Sequence, residues 1–465
     1  MLMGIKFQAR PTKEQAQILC SWMGSAKTIW NAKCQEDKYL RSFAIKFLPL
    51  KTFPEINAQY AQYKDKELTP WLFDCPSQIL RNSASNWYFS YKEFFKQKDR
   101  GRPIIKRKGQ GMSINLTSEL FEFKETEQGL KVFIGTKTNN IGLLDINWHS
   151  LEWQSYDYPR SITIKKLPSG QFTASFCYGE PEKNFAERID RKEWLTHLKT
   201  RTEIELEKDV LGIDRGINIS AATDIASFNP TVQEKRSASK YQRKLKKLQK
   251  KLAKKKNKKS KRREKCRLKI AKSHKKISDI RKNITHQVTK DIVSLDKKIF
   301  VLEDLRTKNM TKSSKGNSKK HGKNVRQKSG LNREILNQAW FLFCTFLTYK
   351  ARLSNKVVFK INPQYTSQEC ADCGHIHPKN RLGIEFKCLS CGTIDHADTN
   401  AAKVIKKRAI KFFQNSGTEL SDKGVLSLPD SGRGAKIRPV KGNPTQAQAK
   451  NSRLRKKRQK RRTVA

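Results

Sequence analysis

Acid is what this sequence is short of. Across 465 residues, 43 Asp and Glu stand against 98 Lys and Arg, leaving a formal net charge of +55. A chain that basic repels itself, and a polyanion is its natural counterion, so nucleic acid is the expected partner. An apolar run of about 18 residues is also missing, as is an amphipathic segment fit to dock in lipid, which excludes a membrane partner. The opening Met1-Leu-Met-Gly-Ile-Lys6 carries no apolar signal core, so a reducing compartment is expected. Nor do the cysteines form a disulfide framework. Cys20, Cys34, Cys75, Cys177, Cys266 and Cys344 are scattered and read as free thiols, while the other four cluster.

What remains is enough for a large core and about two or three domains. Everything is arranged around Val210-Leu-Gly-Ile-Asp214-Arg-Gly216, an apolar run of strand length that ends in a carboxylate and a glycine turn. An acid at the end of a buried strand is costly unless something cationic binds it. Ile299-Phe-Val-Leu-Glu303-Asp304 repeats the pattern, and Asp398 opens Asp-Thr-Asn-Ala-Ala-Lys-Val-Ile405, a helix start.

Before this, Ile5-Lys-Phe-Gln-Ala9 reads as a strand and Thr12-Lys-Glu-Gln15 as a capping box. Ile18, Trp22, Ala26 and Ile29 then mark one face of a helix. Helices continue to about Phe95, broken near Pro49, Pro54, Pro70 and Pro76, and form either an ordinary helical core or a surface for cradling nucleic acid. From Met112 to about Tyr178 the period changes to two. Leu130–Ile134 and Ile162–Ile164 are strands, and Leu167-Pro-Ser-Gly170 turns the chain into Phe172–Phe176, as a hairpin within a small barrel or sandwich.

Between Lys235 and Ile277 the only acid is Glu264. Leu245, Leu248 and Leu252 form a thin apolar stripe, and Ile277, Ile280, Ile284, Val288, Ile292 and Leu295 a better one. Two long helices joined by Lys254–Arg263 are expected. Without acids for helical ion pairs their repulsion calls for phosphate contact, giving affinity and salt dependence but no sequence readout. Thr307 to Ser329 is expected as a mobile loop, with a helix from Asn332 carrying Ile335, Ala339, Leu342, Phe343 and Phe346. Val357–Ile361 is a further strand, and the chain beyond about Asn415 is expected as a disordered basic tail.

Two constellations carry chemistry. Cys370-Ala-Asp-Cys373 and Cys388-Leu-Ser-Cys391 are knuckles separated by fourteen residues, each followed by a glycine (Gly374, Gly392). Two such knuckles close a tetrahedral Zn2+ site, and four thiolates leave no open position, so the metal is structural. His375 and His377 are neighbours rather than ligands. The acids supply the reactivity. The order strand-Asp, basic helices, strand-Glu, helix, strand, zinc ribbon, helix-Asp is that of a ribonuclease-H-like core. Asp214, Glu303 and Asp398 there suit Mg2+ or Mn2+ ions roughly 4 Å apart, which hydrolyse a phosphodiester by activating water and stabilising the leaving oxyanion. Asp304 and Asp395 are candidate helpers or simple caps.

These residues resemble a family. Gly212-Ile-Asp214-Arg-Gly216, Val301-Leu-Glu303-Asp-Leu305, Tyr365-Thr-Ser-Gln-Glu-Cys370-Ala-Asp-Cys373-Gly and His396-Ala-Asp398-Thr-Asn-Ala-Ala402 are similar to the RuvC and zinc-ribbon motifs of TnpB, the transposon-encoded relatives of compact type V CRISPR effectors. The likeness runs from about Gly212 to Phe413, and Pro11–Gln15 looks like the family's opening. It implies an RNA-guided, Mg2+-dependent DNA endonuclease, in which a structured guide RNA pairs with one strand of target double-stranded DNA beside a short flanking motif. By motif, Asp214, Glu303 and Asp398 would be catalytic and magnesium-binding, and Cys370, Cys373, Cys388 and Cys391 would hold zinc. The implied fold is multidomain α+β: a wedge β-barrel (1–9 and 112–205), a helical recognition domain (10–111), a RuvC-like nuclease domain (206–364 and 393–414), a zinc-ribbon insertion that binds target nucleic acid (365–392) and a basic disordered tail (415–465). A prokaryotic cytoplasmic monomer, associated with the nucleoid when on DNA, goes with it. Many members have Asp-Arg-Asp where this chain has His396-Ala-Asp398, though the acid two residues before Asn400 is kept. The competing readings are an RNA-guided or sequence-specific DNA-binding regulator with a silent nuclease site, and a guide-free nuclease of the same fold.

Overall fold

The computed structural model describes residues 2–47, 56–97, 100–107, 109, 111–148, 158–179, 190–257, 259–317 and 321–428. By its internal contacts the chain divides into two units, Met1–Glu187 with Arg243–Lys275, and Arg188–Gln242 with Lys276–Ala465. No helix among the described residues is long and apolar enough to cross a membrane.

The first unit starts with β1 (Leu2–Arg10). Helix α1 (Lys13–Phe47) follows, and its capping box forms: Gln15 N donates to Thr12 Oγ1 and Thr12 N to Gln15 Oε1. The expected stripe is rotated by one residue at its start. Trp22, Ala26 and Ile29 are buried, but Ile18 faces out and Leu19 and Met23 go in instead. Pro49 and Pro54 lie outside the described residues, and helix α2 (Ser77–Lys96) begins directly after Pro76. Strands β2 (Ser113–Thr117), β3 (Phe121–Thr126), β4 (Gly129–Gly135), β5 (Asn140–Asn147), β6 (Ser161–Lys166) and β7 (Phe172–Gly179) join β1 in one antiparallel sheet, ordered β2-β6-β7-β1-β5-β4-β3. The expected hairpin is β6–β7.

In the second unit, α3 (Arg191–Lys199) and α4 (Glu203–Asp209) lead into β8 (Val210–Asp214), then β9 (Ala221–Thr223) and β10 (Ser227–Phe228). Helices α5 (Val232–Ala253) and α6 (Lys261–Ser294) are the basic pair, whose Arg243–Lys275 stretch belongs to the first unit, and the second restarts at Lys261, inside the expected linker. Strand β11 (Ile299–Glu303) precedes α7 (Thr307–Met310), α8 (Val325–Asn337), α9 (Trp340–Leu353) and β12 (Val357–Ile361). Two expectations need correcting here. The stretch expected as a loop holds α7 and the first turns of α8. The single helix expected from Asn332 is broken, because Ala339 takes a left-handed φ of 52° and ends one helix before the next begins. Strands β13 (Arg381–Leu382), β14 (Glu385–Lys387) and β15 (Ile394–His396) form a small separate sheet, and α10 (Ala397–Gln414) follows. Beyond Asn415 the chain is not all tail: β16 (Glu419–Leu420) and β17 (Leu426–Ser427) pair as a hairpin over a buried Thr418, while residues 429–465 lie outside the described residues.

The central sheet runs β10-β9-β8-β11-β12, with β8, β11 and β12 parallel. Parallel strands need cover on both faces, which is why their sequences are unbroken apolar runs. Alternation decides who meets whom. Val210, Ile299, Val301, Val357 and Phe359 pack with Ile405, Ala409 and Phe413 of α10. Leu211, Ile213, Phe300, Leu302 and Val358 pack with Val288 and Ile292 of α6 and Phe343 and Leu347 of α9. Gly212 and Asp214 share the parity of Val210, and Glu303 that of Val301. Both acids therefore emerge on the face that α10 covers.

Gly212 lets α10 come that close. A Cβ there would stand 2.1 Å from the Ala402 carbonyl oxygen and 2.8 Å from the Lys406 amide nitrogen, both backbone atoms that cannot turn aside. Gly212→Ala is expected to lower stability by about 1–3 kcal/mol, the usual cost of overpacking. Denaturant unfolding of parent and variant checks this, and an unchanged midpoint would contradict the close approach.

Candidate functional site

The two acid-bearing strands end side by side. β8 and β11 pair with Val210 opposite Ile299 and Ile213 opposite Leu302, so Asp214 and Glu303 lie one step further along at their carboxyl ends. Asp398 sits in the first turn of α10, where His396 Nδ1 caps the helix by accepting from the Asp398 amide at 3.3 Å. A Cβ built on Gly216, just past Asp214, would lie 3.5 Å from Asp398 Oδ2. Three carboxylates far apart in the chain thus come near enough to act on one another electrostatically, though their oxygens do not all lie within 4.8 Å of one another.

Their electrostatics show it. Burial, then Glu303 and Asp398, raise the Asp214 carboxyl from 3.8 to about 7, against the opposing pull of Arg381 and Arg215. Glu303 is also raised, by burial, while a hydrogen bond from the Thr366 hydroxyl and several arginines favour its charged form. Glu303 and Asp398 are 7% and 8% exposed, so the repulsion is poorly screened by water.

Cations already attend the trio. Arg381 donates Nη2 to Asp398 Oδ1 at 2.9 Å and Nε to the Gly383 carbonyl at 3.2 Å. Arg215 is buried, with Nη2 on the Glu303 carbonyl, Nη1 on the Trp340 carbonyl and Nε without a hydrogen-bond partner among the described residues. The Thr366 hydroxyl donates to Glu303 Oε1. None of these three was singled out from sequence. Arg215 was visible as the residue after Asp214, whereas Thr366 and Arg381 reach their partners across chain distances that no local pattern spans. The candidate helpers are engaged elsewhere: Asp304 with Lys360 at 3.6 Å, and Asp395 with Lys403 at 2.8 Å.

The four expected cysteines do converge. Their sulphurs lie within 4.8 Å of one another, the only such set of three or more metal-ligand atoms among the described residues. The Cys370–Cys391 and Cys373–Cys388 separations are 3.7 and 3.5 Å. Tetrahedral Zn–S bonds of about 2.3 Å put sulphurs roughly 3.8 Å apart, so the cluster fits Zn2+. Hydrogen bonds from the Thr393 hydroxyl and amide push the Cys391 thiol down to about 6, while Cys370, by burial, and Cys373, by its neighbouring thiols, are pushed up. His375 and His377 stay outside the cluster; His377 Nδ1 accepts from the Lys379 amide. Two buried asparagines, also missed, tie the knuckles down. Asn400 accepts from the Ala371 amide at 3.0 Å and donates to the Glu369 carbonyl at 2.7 Å. Asn380 donates to the Gln368 and His375 carbonyls and accepts from the Leu389 amide.

The chain is similar in sequence to known proteins. Residues 190–314 match the family described as "Probable transposase", and residues 340–405 the family described as "Cas12f1-like, TNB domain". The chain is 30% identical over 412 residues to "Putative RNA-guided DNA endonuclease InsQ" of Escherichia coli (strain K12), covering 87% of this chain and 91% of that protein. It is 25% identical over 258 residues to "TnpB-like protein L79" of Acanthamoeba polyphaga mimivirus, covering 55% and 46%. A solved structure, "Cryo-EM structure of the Cas12f1-sgRNA-target DNA complex", aligns with a TM-score of 0.49 at 15% identity, covering 85% of this chain and 83% of that one.

The crowding of acids has a measurable cost. A carboxyl at about 7 in the folded protein and 3.8 in the unfolded chain stabilises fully below 3.8 and loses that contribution as pH rises to about 7. At about 1.4 kcal/mol per pH unit the loss is on the order of 4 kcal/mol. Without divalent cations, Asp214→Asn should therefore melt higher than the parent at pH 8 and close to it at pH 4. Equal melting differences at both values would contradict a carboxyl raised by burial and its acidic neighbours.

Proposed function

Since this chain belongs to the TnpB family, matching InsQ along nearly the full length of both, we propose that it is an RNA-guided DNA endonuclease. It binds a structured guide RNA and cuts complementary double-stranded DNA beside a short flanking motif. Asp214, Glu303 and Asp398 hold Mg2+ or Mn2+, and Cys370, Cys373, Cys388 and Cys391 hold a structural Zn2+ that opens no position for catalysis.

The observation that carries this reading is Asp214 beside Glu303 and Asp398, where burial first and the two neighbouring acids second raise its carboxyl to about 7. Three acids held together by apolar strands and a tightly packed helix favour a divalent cation over the arginine that now neutralises one of them. Bound there, such ions would activate a water and stabilise the departing oxyanion of a phosphodiester. The protein's own groups do the holding. Thr366 fixes the Glu303 carboxylate, Arg215 offsets negative charge, and the His396 cap orients the first turn that carries Asp398. The basic faces of α5 and α6 supply phosphate contacts.

The same reading gives the rest of the chain its parts. Residues 1–9 and 112–205 act as the wedge, 10–111 as the recognition domain, 206–364 with 393–414 as a RuvC-like nuclease, and 365–392 as a ribbon that loads target nucleic acid.

The test is to purify the full chain, sequence the RNA that comes with it, and offer matching double-stranded DNA. A defined RNA and Mg2+-dependent cutting of matched DNA are expected, with Asp214→Ala abolishing cutting while DNA binding persists. Bound RNA without cutting in Mg2+ or Mn2+ would instead mark a regulator. Cutting undiminished by RNase would mark a guide-free nuclease.

A further inference from the structure

A cavity of about 460 Å3 lies at the carboxyl end of β12, within the second unit. That volume is in the roughly 300–1,000 Å3 span of small-ligand sites. Tyr365, Phe412, Asn362, Gln364, Asn415 and Lys411 line it. Ile361, which forms part of its wall, is the β12 residue paired with Glu303, and its carbonyl accepts from the Asp304 amide at 2.9 Å. The cavity therefore opens at the same strand ends as the carboxylates, the edge where ligands of open parallel sheets bind.

Tyr365 is held there against its own preference. Its φ is 61°, the left-handed region that a bulky residue avoids. The surrounding turn enforces it. The Gln368 and Glu369 amides donate to the Tyr365 carbonyl at 2.9 and 3.0 Å, and Arg408 Nη1 donates to the Gln364 carbonyl at 2.8 Å. Arg408 is itself anchored on Glu369. The next residue, Thr366, is the one that bonds Glu303. One turn thus fixes a carboxylate with one side chain and presents an aromatic ring to the cavity with its neighbour.

The lining has the chemistry of a base subsite. The Tyr365 ring and Phe412 offer stacking and apolar contact. Asn362 and Asn415 spend their Oδ1 atoms on the Gln364 and Gly417 amides, which leaves their Nδ2 donors, among the described residues, for the acceptor-rich edge of a base. Lys411 is exposed and has no ion pair among the described residues, as a contact to an adjoining phosphate requires. We propose that this cavity takes an unpaired nucleobase of single-stranded DNA, anchoring the strand beside the carboxylates. The proposal rests on the endonuclease reading for the identity of the strand.

Affinity of the full chain for a short oligothymidylate, and for an abasic strand of equal length, isolates the base from the phosphates. Ca2+ replaces Mg2+, so nothing is cut. The parent should prefer the strand with bases. Tyr365→Ala should lose that preference by roughly five- to a hundredfold, the range of one lost stacking partner. Tyr365→Phe should keep it, and the salt dependence should be the same in all three, since no phosphate contact is removed. A Tyr365→Ala protein whose preference matches the parent, or which weakens equally on both strands, overturns the subsite. Because binding is read without turnover, a protein that cuts matched DNA yet shows no base preference at Tyr365 loses the subsite and keeps the nuclease reading. One that shows the preference and never cuts does the reverse.

Discussion

Like charges held where water cannot screen them govern the second unit. Asp214, Glu303 and Asp398 would separate if they were free to, and nothing in their own chemistry brings them together. Apolar packing does. The side chains that fix β8 and β11 side by side, and α10 across them, are Val, Ile, Leu and Phe buried on both faces of one sheet. The hydrophobic burial of those elements, at about 25 cal/mol per Å2, is large enough to hold an unfavourable electrostatic cluster in place. Arg215 and Arg381 reduce the cost without removing it, since Asp214 still titrates near 7.

Helix α10 is where the two constellations meet. Its small residues let it lie on Gly212, its first turn carries Asp398, and Asn400 two residues on is bonded to the Cys370 knuckle through the Ala371 amide and the Glu369 carbonyl. The cysteine cluster fixes the loop that returns as Arg381, and Arg381 reaches Asp398. The knuckle cluster is therefore more than a clasp on its own loop. Thr366 lies just before it and Arg381 within it, and each bonds one of the carboxylates.

Much of this was legible in the sequence wherever apolar pattern decides. β11 and β12 were read over their full lengths and β8 to within its final residue, because a buried parallel strand has to be an unbroken apolar run. The cysteine quartet was legible because metal knuckles have a fixed spacing. Two kinds of feature were not. The break at Ala339 and the turn at Tyr365 depend on left-handed residues with no glycine to mark them. Thr366, Arg381, Asn380 and Asn400 act through one to three hydrogen bonds each, reaching partners up to 63 residues away or across the knuckle, and no periodicity announces such pairs. The lysine- and serine-rich stretch after Glu303 was expected to be loop from composition alone, yet it carries the start of α8.

The central claim is that the three acids jointly hold divalent ions. Manganese, read by electron paramagnetic resonance in the full chain without nucleic acid, measures this without relying on cutting. Mn2+ should bind with its signal altered by carboxylate coordination, and Glu303→Gln and Asp398→Asn should each weaken binding by a comparable factor. Binding that is indifferent to both substitutions, in protein that keeps the parent's melting temperature, would contradict a shared site.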